Sequence, residues 1–254
     1  MKLNDTQLSE FEHNGYLIVR QLAPAALCQR MLDATQRELA APIAPVEYET
    51  DVGYPGAPAS RGAPGGATIR RLRDAYHRDA CFREWAEDPA QVGKLNQLLR
   101  EPVCLSLAHH NCIMTKHPDF GTATGWHRDI RYWSFTRPDL VCVWLAFGPE
   151  TAENGGLRFI PGSHRLHIEP QQLDALDFLV PDLPQNRALF AQGKQAELDQ
   201  GDVVFFHSRL FHAAGRNASS AVKSSLAFAY RGISNVPLAG SRSAAAGDIP
   251  LGNA

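Results

Sequence analysis

Gly201-Asp202-Val203-Val204-Phe205-Phe206-His207-Ser208-Arg209-Leu210-Phe211-His212-Ala213-Ala214-Gly215 is the stretch on which the fold turns. A Gly-Asp turn feeds Val-Val-Phe-Phe, the composition of a buried strand, and two histidines follow within the next six residues. Working outward, Val103–Met114, Leu140–Phe147, Leu157–Ile160 and Ser225–Tyr230 are similarly rich in Val, Ile, Leu and Phe. Turn signals at Pro118-Asp119, Arg137-Pro138-Asp139, Glu153-Asn154-Gly155-Gly156 and Pro161-Gly162-Ser163 separate them. Many short strands in the second half predict a mainly β sandwich or jelly roll.

The first half has a different period. Asn4 with Gln7 has the form of a capping box, and the helix it starts runs toward Gly15-Tyr16-Leu17-Ile18-Val19, a short strand. Ala25–Leu39 carries Leu27, Met31, Leu32, Ala34 and Leu39 at helical spacing, and residues 80–99 read as helical with Asp79 as N-cap. Between them, 43–68 is rich in Pro, Gly, Ala and Tyr and reads as a long, lid-like loop. The expectation is one domain over 1–254. Its helical part, 1–100, packs outside a β core at about 101–232, and the Ala/Gly/Ser-rich tail 239–254 is loosely ordered.

Composition narrows the function. A net charge of −2 with no basic block argues against a nucleic-acid partner. No run of ~18 apolar residues exists to span a bilayer, and the start lacks the apolar run of a signal peptide. Five cysteines without a Cys-x-x-Cys pair read as buried free thiols in a reducing cytoplasm. A monomer or homodimer acting on a small molecule is the expected form.

Three His-x-Asp triplets compete as metal-ligand pairs: His77/Asp79, His117/Asp119 and His127/Asp129. Two ligands at i and i+2 converge in a strand, where side chains alternate, and diverge in a helix. Asp79 already has a capping position, and Pro118 makes the second triplet a turn. His127-Arg128-Asp129, between a Gly-containing turn and Tyr132-Trp133, is placed at a strand entrance. With one of His207 or His212 it would complete a 2-His-1-carboxylate set, the open-sided arrangement of non-haem Fe(II) oxygenases. His-Arg-Asp and Asp119-Phe120-Gly121 also copy kinase triplets. Here their order is reversed, Ser134 stands where a kinase has Asn, and no Gly-rich loop precedes a Val-Ala-x-Lys strand.

Taken together, the segments "TGWHRDIRYW", "VWLAFGPETAENGGLRFIPGSHR" and "GDVVFFHSRLFHAAGRN", preceded by "FEHNGYLIVRQL", resemble the signature blocks of the phytanoyl-CoA dioxygenase family over residues 5–232. That family consists of Fe(II)/2-oxoglutarate-dependent oxygenases. The resemblance implies a double-stranded β-helix (a cupin-like jelly roll) with iron on His127, Asp129 and His212, and with 2-oxoglutarate and O2 as co-substrates. It gives His207 only a supporting place near the metal. Because Asp129 keeps the carboxylate that halogenase relatives replace, it implies hydroxylation rather than halogenation.

One position departs from the family. An arginine eleven residues after the distal histidine normally grips the far carboxylate of 2-oxoglutarate, and here Lys223 stands there. An ammonium is a point charge rather than a planar fork. Ser225, on the same strand face, is expected to add a hydrogen bond. The resemblance also places Trp144, Thr124 and Lys116 beside the co-substrate. Arg128, Arg131 and Trp133 flank the iron motif, and Arg71 and Arg73 follow the long loop, so these five are candidate substrate contacts. The alternative reading is a β-helix protein that binds a metal or small ligand and has lost 2-oxoglutarate.

Overall fold

The computed structural model describes residues 2–251. The first hundred residues hold α1 (Asp5–Asn14), β1 (Tyr16–Val19), α2 (Ala25–Ala40), β2 (Val46–Tyr48), β3 (Ile69–Arg73), α3 (Ala75–Arg78), α4 (Ala80–Ala86) and α5 (Pro89–Leu99). Then come β4 (Val103–Lys116), β5 (Thr124–His127), β6 (Leu140–Ala146), β7 (Leu157–Phe159), α6 (Pro184–Phe190) and β8 (Lys194–Gln195). The chain continues through β9 (Val203–His207), β10 (His212–Ala214), β11 (Lys223–Gly232), α7 (Arg242–Ala246) and β12 (Asp248–Leu251).

Among the described residues, twelve strands form two antiparallel sheets. The larger has the order β1-β9-β6-β11-β4-β3-β2 with β12 added against β4, and the smaller is β5-β10-β7-β8. Strand residues sort by parity, because successive side chains leave a strand on opposite faces. Val141, Val143, Leu145, Val203, Phe205, Leu226, Phe228 and Tyr230 face the helices, where they meet Leu27, Met31, Phe82, Trp85 and Leu95. Cys142, Trp144, Val204, Phe206, Ala227 and Ala229 face the other way, toward Leu157 and Phe159 of the small sheet. Burial on both faces is why β6, β9 and β11 read as continuous apolar runs. Each large side chain so buried contributes roughly 1.5–3 kcal/mol. A one-residue slip would exchange the two sets and bring Trp144 among the helices. The jelly roll with external helices is the fold the sequence predicts.

Local signals explain the helix ends. The Asn4 side chain accepts from Gln7 N, with Gln7 returning the bond to Asn4 N, and Asp79 accepts from Cys81 N at the start of α4. Gly15 closes α1 at φ 79°, and a Cβ there would lie 2.3 Å from His164 Nδ1, so the position excludes a side chain twice over. The helix expected over 80–99 is two helices. Asp88 caps a new one through Ala90 N and Gln91 N, with Pro89 in its first turn, and the first stops at Glu87.

Three further expectations need correction. Beyond the strand expected at Tyr16–Val19, the N-terminal part also supplies β2 and β3, so that the large sheet is extended on both sides of the later strands. The loop 43–68 contains β2 and a 3-10 turn at Glu49–Asp51. The tail is not loose in its described part: α7 carries the chain back, and β12 pairs with Val103–Ser106 of β4. Ala/Gly/Ser composition conceals this because a strand edge supplies backbone hydrogen bonds whatever the side chains are. All five cysteines are free and buried, and among the described residues no helix is long and apolar enough to cross a membrane.

Candidate active site

β5 and β10 pair antiparallel with His127 directly opposite His212, which sets the two rings 4.2 Å apart. Each ring is fixed by its Nδ1, which lies 2.8 Å from Gly125 O for His127 and 3.1 Å from Leu210 O for His212. A carbonyl accepts only from N–H, so the proton sits on Nδ1 and the Nε2 lone pair is free to ligate. Burial, with His212 alongside, pushes the His127 imidazole down to about 4 and keeps it neutral.

Asp129 does not lie in the strand as expected. β5 ends at His127, and Asp129 opens a 3-10 turn over Asp129–Tyr132 that is tied down by Ile130 N donating to Ser208 O at 2.9 Å. The turn still aims the carboxylate at the histidines. Oδ1 is 3.5 Å from His127 Nε2, and Oδ2 is 3.5 Å from His212 Nε2. Asp129 is fully buried, and its Oδ1 has no hydrogen-bond partner. A buried carboxylate oxygen left without a donor is costly unless a cation meets it. Two imidazole lone pairs and that oxygen form a donor set suited to Fe(II).

A second grouping, His110, Asp129 and Cys142, shares the same carboxylate. Burial and the Asp129 charge push the Cys142 thiol well up, so it stays protonated and donates to Oδ2 at 3.6 Å. A protonated thiol is not a metal ligand, so this grouping supports Asp129 from behind. His110 was not a sequence candidate. It sits with His109 in an irregular part of β4, where the register against β11 jumps from Asn111 to Ser106 and His109 takes φ 65°. Such bulges re-aim side chains, and only the pairing partner reveals them.

The cavity beside the triad is lined by Arg70, Lys116, Thr124, Trp144, Leu157 and Lys223, among others. Arg70 pairs with Glu49 at 3.0 Å and donates to Thr124 Oγ1 at 2.8 Å. Lys116 Nζ donates to the Thr122 and Gly215 carbonyls. Burial, with Lys223 and Arg70 nearby, pushes the Lys116 ammonium down to about 7. Trp144, Lys223 and Ser225 do converge, but on a carboxylate that the sequence reading passed over, that of Glu150. Its Oε1 accepts from Trp144 Nε1 at 2.9 Å and Ser225 Oγ at 2.5 Å, and its Oε2 from Lys223 Nζ at 3.0 Å. Within "GPETAENGG", Glu150 reads as part of a surface turn.

A second, more open cavity adjoins the first at Arg71, and Tyr54, His109, Arg131 and Tyr132 line it. Arg131 donates to Tyr132 Oη at 2.5 Å and lies over the Phe178 ring at 4.5 Å, while Arg71 pairs with Glu47 at 3.2 Å. The other substrate candidates are placed elsewhere. Trp133 is buried and donates to Ala108 O, because its position in the inter-sheet core outweighs its nearness in sequence. Arg128 leans over Phe211 at 4.9 Å, and Arg73 pairs opposite Cys112 at the far end of β3. Neither lines the two cavities. His207 is not beside the triad either: its Nδ1 accepts from Arg209 N, and its Nε2 is 3.7 Å from Asp139.

Comparison with known proteins agrees with this arrangement. The family model for phytanoyl-CoA dioxygenase (PhyH) matches residues 11–225. A probable phytanoyl-CoA dioxygenase of Caenorhabditis elegans is 26% identical over 239 residues, covering 90% of this chain and 75% of its own length. The peroxisomal phytanoyl-CoA dioxygenase of Homo sapiens is 25% identical over 233 residues, covering 85% of this chain, which spans only 64% of that protein. The fold is also that of the epimerase SnoN, crystallised with Fe3+, alpha ketoglutarate and nogalamycin RO. Its TM-score is 0.73 at 20% identity, over 98% of this chain and 91% of that one. The match of the family model over most of the chain, on a jelly roll whose small sheet brings His127, Asp129 and His212 together, places this chain in the phytanoyl-CoA dioxygenase family.

Proposed function

We propose that this protein is an Fe(II)/2-oxoglutarate-dependent dioxygenase that hydroxylates an unactivated C–H bond of a small polar metabolite. The observation that carries this reading is the buried Asp129 carboxylate, with its Oδ1 donorless, facing two histidines whose tautomers are set by backbone carbonyls. When bound there, Fe(II) with 2-oxoglutarate supplies oxidative decarboxylation: O2 and 2-oxoglutarate give succinate and CO2, and one oxygen atom enters the substrate as a hydroxyl group.

The chain's own residues do the rest. His127, Asp129 and His212 would hold the metal with three ligands and so leave positions open for co-substrate and O2. Asp129 supplies a carboxylate ligand where halogenase relatives carry none, and this favours hydroxylation over halogenation. The cavity wall offers the co-substrate dianion Lys116, Lys223 and Thr124 as hydrogen-bond donors. Substrate approaches through the outer cavity, where Arg131 and Arg71 present positive charge and Glu47, Asp51 and Asp177 negative charge. That mixture suits a small molecule bearing both kinds of group. Five free buried thiols support a reducing, cytoplasmic setting.

The test begins without substrate. Anaerobic Fe(II) plus 2-oxoglutarate should give the visible charge-transfer band of a chelated 2-oxo acid, and admitting air should release succinate slowly. Absence of both overturns the reading in favour of a binding protein. A screen of small metabolites for accelerated succinate release, with mass spectra sought for a product heavier by one oxygen atom, then tests hydroxylation itself.

A further inference from the structure

We infer that Glu150 sets the co-substrate preference of this site by neutralising Lys223, which leaves Lys116 as the charge that holds the far carboxylate of 2-oxoglutarate. The inference rests on the oxygenase reading above and concerns a residue to which neither the sequence motifs nor the family resemblance gives a role.

Glu150 is fully buried, and its backbone is locked by paired hydrogen bonds with Leu198 at 2.8 and 3.0 Å. Both carboxylate oxygens have donors, Oε1 from Trp144 and Ser225 and Oε2 from Lys223. The Lys223–Glu150 pair has side-chain exposures of 6% and 0%, so water screens it little. To a ligand in the cavity, the pair is a neutral post that still offers the third N–H of the ammonium. A carboxylate bound to Lys223 would also stand close to the Glu150 carboxylate, and like charges at that range repel appreciably in a partly dry site.

The other cations on this wall are also matched. Arg70 pairs with Glu49 and Arg71 with Glu47. Among the described residues lining the cavity, Lys116 is the cation in hydrogen bond with carbonyls alone, at Thr122 and Gly215. Below about pH 7, where Lys116 keeps its proton, its ammonium carries three donors, so one remains for an incoming anion. Lys116 and Lys223 stand opposite each other in the β4–β11 register. The anchor has moved across one strand, from β11 to β4.

The experiment titrates the full-length, Fe(II)-loaded protein anaerobically with 2-oxoglutarate and, separately, with 2-oxobutyrate, whose tail is uncharged, and follows the charge-transfer band. Glu150→Gln keeps the shape and the acceptor for Ser225 and Trp144. It should tighten 2-oxoglutarate by roughly tenfold and leave 2-oxobutyrate unchanged. Lys116→Met should weaken 2-oxoglutarate by roughly 30-fold. The paired change Glu150→Leu with Lys223→Met strands no buried charge and should shift it by less than about threefold. Unchanged or weaker 2-oxoglutarate binding in Glu150→Gln overturns the inference, as does a double variant that loses as much as Lys116→Met. Parallel tightening of both oxo acids does so too, since it would mean a general structural effect. No band in the unaltered protein with either acid overturns the oxygenase reading itself. A band there with the wrong order among variants overturns only the role of Glu150.

Discussion

The tripeptide His-Arg-Asp occurs twice, at 77–79 and 127–129, and the two copies have opposite roles. In the first, each of the three side chains has a partner in the protein. His77 Nδ1 meets Asp74 at 2.8 Å on the surface, and Asp79 caps α4 while reaching Arg37 at 3.4 Å. The buried member is the arginine: Arg78 binds Glu38 at 2.7 Å and the carbonyls of Arg73 and Pro45. In the second copy the arginine is the peripheral member, and the histidine and aspartate are buried with a carboxylate oxygen unmet. A motif acquires chemistry where the fold leaves its groups unsatisfied, and it becomes structural where the fold satisfies them.

Exchanging the perturbations between copies tests this contrast. His127→Ala should lower Fe(II) affinity by more than about 100-fold, whereas His77→Ala should leave it unchanged, as read by metal content after gel filtration. Equal loss in both would erase the distinction. Arg78→Met strands Glu38, which is 16% exposed, and should cost about 3 kcal/mol in urea unfolding. Arg128→Met removes a contact over Phe211 and should cost less than about 1 kcal/mol.

Asp79→Ala removes a helix cap and should cost about 1 kcal/mol with no change in metal content. The Cys81 N–H holds the Asp79 carboxyl below its usual range, against the opposing effect of burial. A lowered carboxyl stabilises the protein above its unfolded pKa and loses that contribution as pH falls through the folded one. The gap between wild type and Asp79→Ala should therefore close below about pH 4. His77→Ala, which breaks a half-exposed pair, should change stability by no more than about 0.5 kcal/mol.

What the sequence allowed follows from how local each signal is. The caps at Asn4 and Asp79 and the apolar strands β6, β9 and β11 were legible because neighbours in sequence decide them. The metal-binding motif was legible through three blocks of residues, although the turn at Asp129 was not. Glu150 was hidden because its partners lie at positions 144, 223 and 225, and strand pairing alone brings them together. His110 was hidden by a break in strand register, and the strand at Asp248–Leu251 by side chains that carry no β signal.

The small sheet has one further consequence. Its strands are only two to four residues long, and its β5–β10 pair sets His127 against His212 across 85 positions of chain. A metal on both rings therefore acts as a crosslink within the sheet, closing a long loop that few backbone bonds hold shut. Loading should slow amide exchange in β5 and β10 and leave the β6–β11 centre of the large sheet unaffected. Iron supply would then govern the lifetime of the protein against proteases as well as its turnover.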